Sequence, residues 1–403
     1  MGVADQGAGD RLAAGTDRYR VLVAGVFSLI LGLGVARFAY TPLLPLMQQQ
    51  AGLGIAQAGW LAAINYAGYL TGAFAVSLIG DLALKDRLYR LGMIGAVLTT
   101  AMMGTSTNFL VWAVSRYLAG LSSAAAMLLG TGLILNWLIR NDHRSELGVH
   151  FSGIGLGIAG SAAAVEVMSE WQIGWRDQWL AFAAIGCALL LPALGWLPRP
   201  DRSTVTRSGQ AMRDAPPGAR FLRLLLGAYF CAGVGYVISA TFIVAIVDRL
   251  PDLSGHGNLV FLVIGLGVAV GGMVMDLVAR RTGEIVALAL AAALQIAGIL
   301  LSAVVSSLFA ALGGALLFGI TVNGIVSLVL TMAGRYYPTR PAKLMGKMTL
   351  SYGVAQVVAP AVAGVMALHL GSYRSGLYVA AAAMAVGTVL LLMLRSIDTR
   401  RMQ

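Results

Sequence analysis

Apolar residues in this chain do not alternate with polar ones; they form long runs. From residue 21 to residue 394, stretches of Leu, Ala, Val, Ile and Gly are broken only by short polar clusters, and many reach the length of about 20 residues that a bilayer-crossing helix needs. Twelve spans are predicted, at 20–46, 56–80, 90–107, 109–138, 146–168, 178–197, 221–248, 257–279, 283–304, 308–334, 344–369 and 374–394. The expected fold class is all-α integral membrane, because backbone groups cannot stay unpaired in hydrocarbon and the two-residue period of a barrel strand is absent. One long polar interruption, LPRPDRSTVTRSGQAMRDAPPGARF (residues 197–221), separates six spans from six, and its Pro, Ser and Arg content predicts a mobile linker. The domain organisation read from this pattern is an N-tail 1–19, a six-helix bundle 20–197, a linker 198–220, a second six-helix bundle 221–394 and a C-tail 395–403.

The two halves repeat each other. Gly32-x-Gly34 recurs as Gly233-x-Gly235, Asp81 with Lys85 as Asp276 with Arg280, Arg116-x-x-x-Gly120 as Ala315-x-x-x-Gly319, and Gly148 with Gly155 as Gly346 with Gly353. All four offsets fall between 195 and 201 residues. Two pseudo-symmetric six-helix bundles with both termini on one side describe a secondary-transporter architecture.

Composition agrees: the chain is 58% hydrophobic and 11% charged, against about 25% charged residues in soluble domains. A net charge of +11 could suggest a nucleic-acid partner, but its distribution points elsewhere. Of the 28 Lys and Arg, 23 lie on the side of the termini and only Arg176, Arg249 and Arg374 lie opposite. That asymmetry places both termini in the cytoplasm of a bacterial inner membrane and makes the lipid bilayer, not nucleic acid, the partner of the basic charge. Cys187 and Cys231 sit in apolar spans and imply neither disulfide nor metal cluster. The polar first 19 residues, with Asp5, Asp10 and Asp17, do not read as a cleavable signal.

Several motifs carry a family resemblance over nearly the whole chain. GMVMDLVARR after span 8 matches the loop signature of the major facilitator superfamily at Gly272, Asp276, Arg280 and Arg281; the first-half copy, SLIGDLALKD, has Ser77 for the glycine and keeps Asp81. RYLAG in span 4 repeats that family's R-x-x-x-G, whereas GIGLGIAG in span 5 lacks the proline of its antiporter signature. GVARFAYTPLLP, NYAGYL, HFSGIGLG and GVGYVISATF further resemble the YbfB/YjiJ-like branch. The resemblance implies transport by alternating access. It also implies a gate at Asp81, Lys85, Gly272, Asp276, Arg280 and Arg281, and a structural or proton-relay role for Arg116.

Two arginines, Arg37 and Arg116, fall inside spans, each about 12 Å from the outer boundary at 1.5 Å per residue. A mid-bilayer arginine costs about 2.5–3.5 kcal/mol and normally faces a cavity or a partner. Their repeat-mates, Ile238 and Ala315, are apolar, and no acid falls at matching depth. Glu166 and Asp248 lie near the outer ends of their spans and, with Arg116, are the proton-coupling candidates. Planar guanidinium forks suit carboxylate, sulfonate or phosphate, so the expected substrate is a small organic anion.

The candidate substrate-binding set is Arg37, Tyr40, Thr41, Asn65, Tyr69, Arg116, Tyr236, Asn323, Tyr352 and Gln356. Tyr40 and Thr41 follow Arg37 by three and four residues and so share its helical face. Each polar residue could equally serve an interhelical hydrogen bond, and Arg37 could instead meet backbone carbonyls or Glu166.

The 17 methionines lack His or Cys at ligand spacing, which favours packing over copper(I). There is no phosphate-binding glycine loop for ATP and no nucleophile–base constellation, so neither an enzyme nor a cofactor is expected. A monomeric, proton-coupled secondary transporter of an organic anion is the leading expectation. A proton-driven exporter of drug-like compounds would want a deep acid and the span-5 proline; a non-transporting sensor would want a soluble domain.

Overall fold

The computed structural model describes residues 17–201, 203, 205–249, 257–304, 307–370 and 374–402, with backbone alone at 55, 241–249, 257–258, 302–304, 360–370, 374 and 398–402. Among the described residues, twelve long helices follow one another. In the first half they are α1 Asp17–Ala51, α2 Ile55–Leu78, α3 Leu82–Thr105, α4 Phe109–Arg140, α5 Gly148–Glu170 and α6 Trp175–Gly195. In the second they are α7 Ala219–Arg249, α8 Gly257–Thr282, α9 Glu284–Val304, α10 Leu308–Arg335, α11 Ala342–Leu370 and α12 Arg374–Met402. Among the described residues, ten of them are long and apolar enough to cross a membrane. The other two are α11 and α3, whose first turns carry Lys85, Asp86, Arg87 and Arg90.

Local sequence sets the helix ends. Asp81 caps α3 by accepting from the Ala83 and Leu84 amides, and Asn108 caps α4 through the Leu110 amide. Gly52 ends α1 in the left-handed region at φ +68°, which a side chain would resist.

The halves pack as copies of one pattern. The pairs α1–α5, α2–α4, α3–α4 and α3–α6 recur as α7–α11, α8–α10, α9–α10 and α9–α12. Across the halves, α5 packs on α8 and α2 on α11. Small residues permit these approaches. A Cβ on Gly155 would lie 2.0 Å from the Ala269 nitrogen, and the repeat-mates Gly120 and Gly319 press on the carbonyls of Asn65 and Ile264.

The linker departs from expectation. Instead of moving freely, its described residues are docked on loops of both halves. The Arg207 amide donates to the Arg140 carbonyl, and the Ser208 amide and hydroxyl donate to Asp142 on the α4–α5 loop. Asp214 accepts from Thr339 and Arg340 on the α10–α11 loop, and the Ala215 amide donates to Tyr336. The Ser, Arg and Asp residues that suggest solvation are the ones that find partners on the loop ends.

Candidate functional site

The site begins with a local irregularity in α1. Residues Ile30–Phe38 form a π-helical turn, and wider turns of this kind leave backbone carbonyls without their usual donors. Pro42, one helical turn on, has no N–H to offer. Neighbouring helices add donors, including to a carbonyl that keeps a backbone partner, as Gly34 does from the Ala39 amide at 2.8 Å. Ser123 of α4 donates to the Gly32 carbonyl at 2.6 Å, Ser161 of α5 to Gly34 at 3.1 Å, and the Arg116 guanidinium to Ala36 at 2.9 Å and Arg37 at 3.2 Å. Arg116 also lies over the Tyr40 ring, 4.7 Å from its centroid. It is 2% exposed and is absent from the cavity wall. The placement is that of a backbone clamp, away from the cavity lining.

The π turn carries Arg37 the other way, into a cavity of about 90 Å³ between the halves. Its guanidinium carbon sits 4.5 Å from the centroids of both Tyr66 and Tyr69 and 5.4 Å from that of Phe38. Arg37 is 6% exposed, and among the described residues it makes no ion pair. Glu166 is exposed on α5 and does not pair with it, and the side chain of Asp248 lies outside the described residues.

Six expected residues meet around this cavity: Arg37 and Tyr69 from the first half, and Tyr236, Asn323, Tyr352 and Gln356 from the second. Asn323 bridges helices by donating to the Phe151 and Val268 carbonyls. The other four do not line it. Tyr40 turns away to donate to the Ala58 carbonyl, Thr41 is exposed, Asn65 donates to the Arg116 carbonyl and Arg116 holds α1. Tyr66, Tyr229 and Thr349 belong to the site or its support without having been singled out by the sequence. Tyr229 had a readable signal, since it lies seven residues before Tyr236 on one helical face.

At the end carrying the termini the two halves close on each other. The Asp276 carboxylate accepts from the Gly148 amide at 2.7 Å, at the N-terminus of α5 where the helix dipole favours negative charge. Gly272 packs against Gly148, where a Cβ would come within 3.0 Å of its Cα. Arg280 reaches across to Glu146 with two hydrogen bonds, and Arg335 to Ser145. Arg281 is exposed. In the first-half copy, Asp81 is an exposed helix cap. Lys85 is buried, with no hydrogen-bond partner for its Nζ among the described residues. Burial, reinforced by nearby Arg340 and Lys343, lowers its ammonium to about 8.

Asp276→Asn keeps an acceptor but loses the charge, a loss of about 1 kcal/mol for a charge-assisted bond at a helix N-terminus. We expect a several-fold shift toward a state open at the terminus end, read as faster labelling of a cysteine introduced at Ser145. Unchanged labelling would show that Asp276 does not bias the closure.

The family described as "Uncharacterised MFS-type transporter YbfB" matches this chain over residues 29–392. A probable sulfoacetate transporter, SauU of Cupriavidus necator, is 25% identical over 406 residues, covering 92% of this chain and 92% of that protein. A gallate transporter of Pseudomonas putida is 27% identical over 201 residues, 48% of this chain and 42% of that protein. Among solved structures, the human organic anion transporter MFSD10 superposes with a TM-score of 0.70 at 18% identity, covering 93% of this chain and 99% of that one, a likeness of fold.

Proposed function

Because the chain belongs to the major facilitator superfamily, in the family of YbfB-like transporters, we propose that it is a secondary transporter of a small organic anion, working by alternating access around the Arg37 cavity. One observation carries the reading: a guanidinium held in the cavity wall by aromatic rings, with no carboxylate beside it among the described residues. Desolvating an unpaired arginine is costly. A bound carboxylate or sulfonate offsets that cost with two parallel hydrogen bonds, which a neutral or cationic ligand cannot do. The names of two relatives, a probable sulfoacetate transporter and a gallate transporter, are of organic-anion carriers and support the same class.

At the terminus end, helix packing between the halves is joined by polar contacts of Asp276, Arg280 and Arg335 at helix ends and loops, which suit a closure that forms and breaks as the halves rock. In the proposal that end is cytoplasmic and the membrane is the bacterial inner membrane. A single cysteine at Ser208 should then resist an impermeant maleimide added to intact cells and react after lysis. Ready labelling of intact cells would reverse the orientation.

Protons are the proposed coupling ion. Bringing one negative charge inward against an inside-negative potential costs about 2.3 kcal/mol per 100 mV, and a co-transported proton cancels that term. The drug-exporter alternative has less support, since no acidic residue among the described ones lines the cavity.

The test of the anion reading is a ligand panel on the purified protein. Carboxylates and sulfonates should raise the melting temperature in proportion to ln(1 + [L]/Kd), while cationic drugs should leave it unchanged. Stabilisation by cations alone would overturn the proposal.

A further inference from the structure

We infer that the transported anion is a planar aromatic monocarboxylate, its carboxylate on Arg37 and its ring against the tyrosines of the second half; this rests on the organic-anion reading. Both halves bring aromatic rings to the cavity, Phe38 and Tyr69 from the first and Tyr229, Tyr236 and Tyr352 from the second, and they differ in charge. Among the described residues, the first half contributes the one charged residue of the lining, Arg37. A single uncompensated positive charge matches a single negative charge, and a dianion would bring a second charge with no cation to meet it.

Facing Arg37, the second half offers aromatic rings in sequence. Tyr229 and Tyr352 have centroids 4.7 Å apart, Tyr352 and Tyr236 lie 5.8 Å apart, and Tyr236 stacks on Phe318 at 6.3 Å with planes only 2° from parallel. These three tyrosines come from α7 and α11 and all border the cavity. Much of the remaining wall is aliphatic, with Met127, Ile154 and Val268 among its members. Flat, stiff side chains held by one another present faces and edges at little entropic cost, and the geometry they favour in a partner is another flat ring. A ligand with a carboxylate at one end and a ring at the other also touches both halves at once, so its binding free energy is available to draw them together.

The experiment measures binding to purified, full-length protein in nanodiscs by calorimetry. The probes are benzoate, cyclohexanecarboxylate (same charge, no planar ring), benzyl alcohol (same ring, no charge) and sulfoacetate (a dianion without a ring). Benzoate should bind about tenfold more tightly than cyclohexanecarboxylate, the scale of an aromatic pair's contribution beyond burial. It should also bind more tightly than sulfoacetate, and benzyl alcohol should not bind measurably. Tyr352→Leu should bring the two carboxylates to near-equal affinity, whereas Tyr352→Phe should keep their ratio. Equal affinity of wild type for benzoate and cyclohexanecarboxylate, both abolished by Arg37→Ala, overturns the aromatic class and leaves the organic-anion reading standing. Tighter binding of sulfoacetate than of benzoate does the same. Benzyl alcohol binding as well as benzoate, or binding by none of the anions, overturns both. The wild-type comparison is decisive even if a tyrosine variant fails to fold.

Discussion

Arg37→Ala is expected to lose at least about thirtyfold in affinity for the organic anion, because truncating one partner of a desolvated charge pair costs about 2–5 kcal/mol. Arg37→Lys keeps the charge without the bidentate fork and should fall between the two. The effect on stability should have the opposite sign. Without ligand, Arg37 is a nearly buried cation with aromatic neighbours and, among the described residues, no counterion, and such a group destabilises the empty protein. Its side chain already borders open space, so truncation enlarges a cavity instead of creating one. Ligand-free Arg37→Ala should therefore melt no lower than wild type. Lower melting together with unchanged affinity would make Arg37 structural.

Arg116 should behave in the reverse way. Arg116→Met removes the donors that serve the carbonyls of Ala36 and Arg37 in the π turn. Each buried carbonyl left unpaired costs about 1–3 kcal/mol. Relief from desolvating the guanidinium offsets part of this, so a drop of several degrees in melting temperature is the expected net result. Binding should weaken only in step with the fraction unfolded, since Arg116 does not line the cavity. A variant that melts like wild type but no longer binds would show direct contact with the substrate. The two arginines, alike in depth and in the apolar identity of their repeat-mates, are thus separated by one pair of melts and one pair of titrations.

The outline of the molecule is legible in the chain because hydrocarbon leaves few options. Apolar runs give the helices, and the 195–201 offsets give the two halves. Six residues of the cavity are legible too, because a polar group deep in a span must face a partner or a cavity.

Errors cluster where one backbone irregularity intervenes. Tyr40 and Thr41 share the face of Arg37 only if α1 keeps α-helical phase, and the Ile30–Phe38 π turn slips that phase. Tyr40 then points to Ala58 and Arg116, and Thr41 points outward. The same turn frees the carbonyls that occupy Arg116, so its partners are backbone atoms that no side-chain pattern advertises. At the gate, the sequence marks Asp276 and Arg280 but not their partners, because the Gly148 amide and Glu146 come from the other half, more than 120 residues away. Composition alone also misjudges the linker, whose Asp214 and Ser208 find partners on opposite halves.

The most direct test of the central claim is counterflow in proteoliposomes: vesicles with the purified protein, loaded with unlabelled benzoate, exchange it for labelled benzoate outside. Transient accumulation of label is expected for wild type, reduced for Arg37→Lys and absent for Arg37→Ala reconstituted to the same level. Equal exchange by wild type and Arg37→Ala, or exchange of organic cations and of no anion tested, would contradict the account.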